Sequence, residues 1–568
     1  MKKRNAFKVM FSLLKLVDKF VIVLFLAVLN GAIGNLLAVS ISTLSVIALA
    51  SLLGLDISIS LTTLLILIVV FGILRGVIRY FEQYSNHYIA FKILAIVRHK
   101  VFNKLQSLSI SDIDDKEKGN MMEMITSDIE TLEVFYAHTV SPTLIALIVS
   151  IINLTILGLV TNFVLSLTLL LFYIIVGIFI PLISYKVLQK DGSSYRYDLA
   201  SFNSFFLDAL KGIKEIKFLN KTKEKEALID ERSTMLDKKR VKSNNKASIF
   251  KAISSSMIIL SALSIILVTY LINTYSNNAS LYIKPYELMI GVVIALSSFG
   301  PLIALSSLPL NLVQTFTSGN RILDLLDEKP SLKEVTFKKD LTYQHLEVTN
   351  LSFKYKDEET NVLNNLNLNL KDNKIIVIKG ESGIGKSTLL KLLLRYYEVN
   401  NEMIKYNDIS INEINTSSLL DNVTMFSQST YLFNDTILNN LKIANLNASN
   451  EEVIDALKKA SIYDFVFSLK EGLNTVIDPQ KLNVSLGEKQ RLGLARVILR
   501  KPKLLLLDEP TSNIDLENEV LFLNSLKNIK KDMGIIIITH KESTAKIADI
   551  TYTLEKGKLY EVKSNESN

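Results

Sequence analysis

At 568 residues, 49% hydrophobic and with a mean hydropathy of +0.30, the chain is too long for one ordinary domain and too apolar for a soluble enzyme, so membrane segments are expected. Its net charge of +8 comes from the N-terminal part: residues 341–568 hold 28 of the 64 Lys and Arg against 30 of the 56 Asp and Glu, and a basic excess beside long apolar runs fits loops against anionic lipid and argues against nucleic-acid binding. With no cysteine, structural disulfides, thiolate metal sites and internal thiol redox chemistry are excluded.

Lys2, Lys3 and Arg4 open the chain, but the apolar run that follows is much longer than a signal peptide's and has no small-residue cleavage site, so it reads as retained. Residues 1–19 mix Phe7, Met10, Phe11, Leu14 and Leu16 with Lys8, Lys15 and Asp18, the pattern of an amphipathic elbow helix lying on a membrane surface. Residues 20–55 carry no charge, more than the roughly 20 residues that cross about 30 Å of hydrocarbon. Further apolar stretches at 61–74, 139–162, 163–185, 252–274 and 288–317 bring the expected spans to six, within a membrane domain covering 20–325. The outer connections, near 51–60, 161–163 and 273–287, hold one lysine, Lys284, whereas the inner ones, 82–138 and 186–251, are rich in Lys and Arg. That bias puts both termini in the cytoplasm. Helical spacing through FKILAIVRHKVFNKLQSL predicts helices that continue past the bilayer, with breaks at 112–120 and 201–212.

After a polar linker, 326–344, short β-rich runs alternate with helices from His345 to the end, predicting an α/β nucleotide-binding domain over 345–568. GESGIGKST follows a strand, KIIVIKG, and opens a helix, as a phosphate loop must. Gly380, Gly383 and Gly385 permit a tight turn, with Ser382 and Thr388 in the same phosphate-contacting run. Lys386 is placed to neutralise the β- and γ-phosphates of ATP and Ser387 to ligate Mg²⁺. LLLLDEP adds a buried strand ending in Asp508, a second Mg²⁺ residue, and Glu509, the candidate base or water-positioning residue. His540 closes another apolar strand, where it would sense the γ-phosphate.

Together with VSLGEKQRLGLARVILR, which precedes LLLLDEP, these motifs resemble the ATP-binding-cassette (ABC) transporter ATPase over residues 345–562, and six spans ahead of it resemble an exporter-type half-transporter. The implied architecture is an all-α six-helix membrane domain followed by an α/β P-loop ATPase, in a bacterial plasma membrane with the ATPase in the cytoplasm. The resemblance implies that Tyr355 stacks on adenine, that Gln428 contacts Mg²⁺ and the attacking water, and that Asp515 belongs to the loop after the catalytic glutamate. It also implies a dimer in which Ser485, Gly487 and Glu488 act on the nucleotide held by a second half-transporter, a different chain being favoured. The family pattern LSGGQ stands here as VSLGE: Leu486 either crowds the γ-phosphate and disfavours the required backbone angles or points away, and Glu488 replaces glutamine.

Residues 72–102 and 128–142 resemble the half-transporters required for cytochrome bd assembly, which implies a cysteine- or glutathione-like cargo, or haem. Arg75 and Arg79 are charges in or near a span, suited to an acidic cargo or haem propionates, or to snorkelling and pairing with Glu82. His87 matches a haem-associated histidine of that group, with Gln83 where a basic partner usually stands. The alternative cargo is a peptide or hydrophobic compound, and the alternative function an ATP-gated membrane sensor or regulator that moves nothing.

Overall fold

Segments without charge that face hydrocarbon must satisfy their own backbone polar groups, and here they do so as helices. The computed structural model describes residues 6–15, 20–54, 59–114, 116, 118–275, 281–306, 308–356, 358–371, 373–478, 484–512 and 514–562. Among these, six helical stretches are long and apolar enough to cross a membrane: Val21–Leu52, Leu61–Ser107, Met121–Val160, Phe163–Gln189, Thr222–Tyr275 and Pro285–Asp327. The second runs 47 residues, about 70 Å at 1.5 Å per residue, so it continues far past the hydrocarbon as its periodicity predicts. Its outward side carries Ile66, Val69, Val70 and Ile73, all exposed, as a lipid-facing surface requires. Where the first and third spans meet, only a glycine fits: a Cβ on Gly31 would lie 2.1 Å from the Ile145 side chain.

One local feature differs from the sequence expectation. The helix Ile180–Lys211 runs through the predicted break at 201–212, and the interruption comes at Gly212 and again after the short helix Ile213–Phe218. Stacking of Phe202 on Phe206 and an ion pair between Lys239 and Asp198 support the helix through this stretch. In the N-terminal helix Ala6–Leu14, Val9 and Leu13 are buried against Gly319 while Phe11 points outward, and the remainder of the predicted elbow, 1–5 and 16–19, lies outside the described residues.

The chain divides into two bodies, residues 1–107 with 116–329, and residues 108–115 with 330–568. The second contains the sheets. One has four strands in the order β2-β1-β4-β5, where β1 is His345–Phe353, β2 Leu363–Lys371, β4 Ile404–Tyr406 and β5 Ile409–Ser410. The other has six, β10-β9-β3-β8-β7-β6, with β3 Ile375–Lys379, β6 Val423–Phe426, β7 Leu504–Asp508, β8 Gly534–Ile538, β9 Ile550–Glu555 and β10 Lys558–Val562. Apart from β10, this sheet is parallel, so its inner strands are covered on both faces and are uniformly apolar. Ile375–Ile378, Leu504–Leu507 and Ile535–Ile538 are all 0% exposed. The residues that follow the ends of β3, β7 and β8 are thereby brought to one edge, where the chemistry collects.

Candidate functional site

The phosphate loop leaves β3 at Gly380 and enters the helix Lys386–Leu393. Gly383 and Gly385 have φ of +83° and +106°, left-handed conformations that favour glycine, and a Cβ on Gly385 would also strike Val362 at 2.6 Å. Ser382 is exposed on the loop. The Lys386 ammonium lies along the loop, donating at 2.8 Å to the carbonyls of both Gly380 and Glu381. Ser387 donates from its hydroxyl to Asp508 at 3.0 Å, which joins the ends of β3 and β7. Burial pushes the Asp508 carboxyl above its usual range, only partly opposed by the Ser387 hydrogen bond. A half-buried carboxylate and an exposed hydroxyl make an oxygen donor set suited to a hard cation, so Mg²⁺ fits these residues, which would hold it to polarise and shield the phosphates.

Glu509, next to Asp508, takes a left-handed backbone (φ 43°) while its N–H donates to the Ile538 carbonyl at 2.9 Å. That turn aims its carboxylate at His540, whose Nδ1 lies 3.4 Å away. Tyr355 hydrogen-bonds Thr388 through their hydroxyls at 2.8 Å and packs edge-on against Phe353 and Tyr397. Gln428 donates to the Ser512 hydroxyl at 3.2 Å, and Gln490 ties the same loop down by donating to the Gln428 carbonyl at 2.6 Å. The predicted residues of this chain's own site thus converge on one edge of the six-stranded sheet.

VSLGE opens the helix Leu486–Arg500. Ser485 is its N-cap: the hydroxyl accepts from the Glu488 N–H at 3.2 Å, and the Glu488 carboxylate accepts from the Ser485 N–H at 2.8 Å, a capping box. Leu486 is the first helical residue and has no left-handed backbone, so the backbone-angle half of the expected difficulty is absent; its side chain is exposed. Gly487 is packed on Asn518, whose Cγ would lie 2.4 Å from an added Cβ. Asn518 donates to Asp515 at 2.6 Å and accepts from Arg491, so Asp515 is linked to the signature helix through a residue the sequence reading did not single out.

In the membrane body a cavity of about 340 Å³ is lined by Arg79, Glu82, Gln83, Asn86, His138 and Asn311, among others. Glu82, only 3% exposed, is paired with Arg79 at 2.6 Å, which realises the pairing alternative for that arginine. Arg75 is exposed and does not line the cavity. His87 sits beside it, hydrogen-bonded to Glu133 at 3.1 Å. Glu133 and Asn86 were not singled out from sequence.

A phosphate loop, an Asp-Glu strand end and a histidine on neighbouring parallel strands, with a capped helix leading into β7, define a P-loop ATPase fused to six helical stretches long enough to cross a membrane. The comparisons place it further. Residues 363–512 match the ABC transporter family model and residues 20–283 the ABC transporter transmembrane region. The chain is 39% identical over 561 residues, 98% of its length and 100% of the relative's, to a probable ABC transporter ATP-binding/permease protein of Haemophilus influenzae. It is 28% identical to an ATP-dependent lipid A-core flippase of the same species, covering 86% of this chain and 82% of that one. A bacterial Atm1-family ABC exporter with ATP bound shares the fold, with a TM-score of 0.80 at 22% identity over 96% of this chain and 94% of the other. The protein belongs to the ABC transporters: it is an exporter-type half-transporter, a multi-pass membrane protein with ATPase-coupled transport that works as a dimer.

Proposed function

We propose that the chain is one half of an ATP-driven exporter in a bacterial plasma membrane, with its ATPase body in the cytoplasm, paired with a different half-transporter, and that its cargo is a small polar compound of the thiol-peptide class. Hydrolysis at this chain's own phosphate loop is supported by the Ser387–Asp508 hydrogen bond of 3.0 Å and by Glu509 set 3.4 Å from His540. Lys386 neutralises phosphate charge, Glu509 orients the attacking water and accepts its proton, and His540 holds Glu509 and the γ-phosphate in register. Ser485 and the backbone N–H groups of Leu486 and Gly487 act on the partner's nucleotide. ATP then favours the closed dimer through differential affinity, and hydrolysis removes that preference.

The cargo reading rests on one observation: the cavity of about 340 Å³ is lined by amide and charged groups, including the Asn86 Oδ1, buried without a partner. Its size suits a compound of a few residues, at the small end of ligand sites. Haem-related cargo belongs to the same reading and enters the same test. The names of the relatives favour a second reading, export of a lipid or hydrophobic drug. Inside-out vesicles carrying the purified dimer should accumulate labelled glutathione or cysteine on adding ATP, and Glu509→Gln vesicles should not. Uptake of lipid or drug alone refutes the cargo assignment, haem uptake alone narrows it to haem, and equal movement by wild type and Glu509→Gln refutes ATP-driven transport itself.

A further inference from the structure

We propose a binding site for a divalent first-row transition metal ion, of the zinc type, formed by His87, Glu133 and His138 between the second and third spans. One ligand atom from each of these residues lies within 4.8 Å of the others. The His87 Nδ1 is 3.1 Å from the Glu133 carboxylate. Two donors bonded to one tetrahedral zinc at roughly 2.0–2.2 Å stand about 3.3–3.6 Å apart, so this pair need open by only a few tenths of an ångström to span one coordination edge. The His138 ring is 5.5 Å from that of His87 and crosses it at 77°, which brings a third donor in from the other helix with a small side-chain rotation.

The backbone explains why Glu133 and His138 face the same way. In an α-helix, residues five apart are about 140° out of phase, because each residue turns about 100°. Here residues Tyr136–Val140 form a π-helical turn, and the Thr139 hydroxyl donates to the Val134 carbonyl five residues back. The wider turn realigns positions 133 and 138 on one side, opposite His87. Such turns are rare and frequently mark functional sites.

Two imidazoles and one carboxylate suit zinc, cobalt or nickel rather than magnesium or calcium. Three donors converging within 4.8 Å enclose an ion and leave no plane between them for a porphyrin, whose iron takes axial ligands from opposite faces. His138 also lines the polar cavity, so a fourth position opens there to water or to a donor atom of a bound molecule. An ion so held ties the third span to the second.

The test uses the tag-free, full-length protein in nanodiscs, stripped with chelator and titrated with Co²⁺ as the spectroscopic probe, then with Zn²⁺ as competitor. The expected result is one equivalent per chain, with the visible absorption of four-coordinate Co²⁺, displaced by Zn²⁺. Affinity should weaken at least tenfold in His87→Ala, in His138→Ala and in Glu133→Gln, the last retaining a hydrogen-bonding group beside His87. His99→Ala and His345→Ala should bind as wild type. Melting temperature and gel filtration establish that each variant is folded. Absence of the absorption band, or a band that survives in well-folded His87→Ala and His138→Ala, overturns the site.

Discussion

Replacing Glu488 with glutamine restores the family residue at the one signature position where this chain carries a charge. The capping box survives, because an amide oxygen still accepts from the Ser485 N–H, now held at 2.8 Å by the carboxylate. A phosphate oxygen taking the Ser485 hydroxyl at about 3 Å would stand roughly 6–7 Å from that carboxylate. At an effective dielectric of about 40–80, a unit charge at this range repels by about 1 kcal/mol, close to fivefold in affinity. Removing the charge also forfeits about 0.3–1 kcal/mol of helix-dipole stabilisation, but open and closed states lose it alike. Half-saturating ATP for hydrolysis by the Glu488→Gln dimer is therefore expected to fall about fivefold at low ionic strength. The difference should shrink near 0.5 M salt, where the screening length is roughly 4 Å. An unchanged half-saturation at low salt, with the melting temperature intact, refutes the electrostatic account of this signature.

Glu509→Gln should slow hydrolysis by about 10²–10⁴-fold while leaving ATP binding in place; single-turnover rates within tenfold of wild type remove Glu509 from the reaction. Burial holds the Asp508 carboxyl above its usual range, so its ionised form opposes folding at neutral pH, and the stability associated with the protonated form is lost as pH rises through the folded-state value. Asp508→Asn is therefore expected to raise the melting temperature of the nucleotide-free protein at pH 7, with the gain shrinking toward acidic pH, and to abolish Mg²⁺-dependent hydrolysis. Gly487→Ala places a Cβ 2.4 Å from the Asn518 Cγ, and since Asn518 is held by Asp515 and Arg491 the overpacking outweighs the better helix propensity, for a net loss of about 1–2 kcal/mol in urea unfolding. Gly487→Ala combined with Asn518→Ala should recover part of it.

The ATPase body was legible because its motifs are contiguous and sit at strand ends: GESGIGKST, LLLLDEP and IIIITH each name a strand and the residues that leave it. Register then does the rest, since parallel pairing of β3 with β8 and β8 with β7 puts Ser387, Asp508, Glu509 and His540 on one edge. The spans were legible from long apolar runs without charge, and the helix that continues past the second span from its helical periodicity. Asn518 was not, since its partner Arg491 lies on the other side of β7, 27 residues away in the chain, and no local pattern joins them. Glu133 was hidden for a sharper reason. An i, i+5 pair has no meaning in the helical period used to read the segment, and only the π turn at Tyr136–Val140 gives it one. The break expected at 201–212 failed in the opposite way: it was read as the counterpart of the break at 112–120, but the chain stays helical to Lys211, with Phe202 stacked on Phe206 and Asp198 paired with Lys239, and turns only at Gly212.

The signature segment shows how one residue serves two structures without conflict. A serine hydroxyl has one proton to donate and two lone pairs to accept with. In the cap, Ser485 accepts from the Glu488 N–H, which leaves its proton available for an acceptor outside the chain. Being the first two helical residues, Leu486 and Gly487 have backbone N–H groups without intrahelical acceptors, so the donors a phosphate requires survive the exchange of glycine for leucine. What separates VSLGE from the family pattern is then not a lost backbone donor or a forbidden backbone angle but the charge of Glu488, with the side-chain amide N–H that glutamine would carry, and the bulk of an exposed leucine side chain. Charge is screened by salt and bulk is not. Comparing ATP half-saturation in the wild-type, Glu488→Gln and Leu486→Gly dimers across ionic strength therefore separates the two: an improvement in Leu486→Gly that persists at high salt assigns a weakening of this site to the leucine side chain.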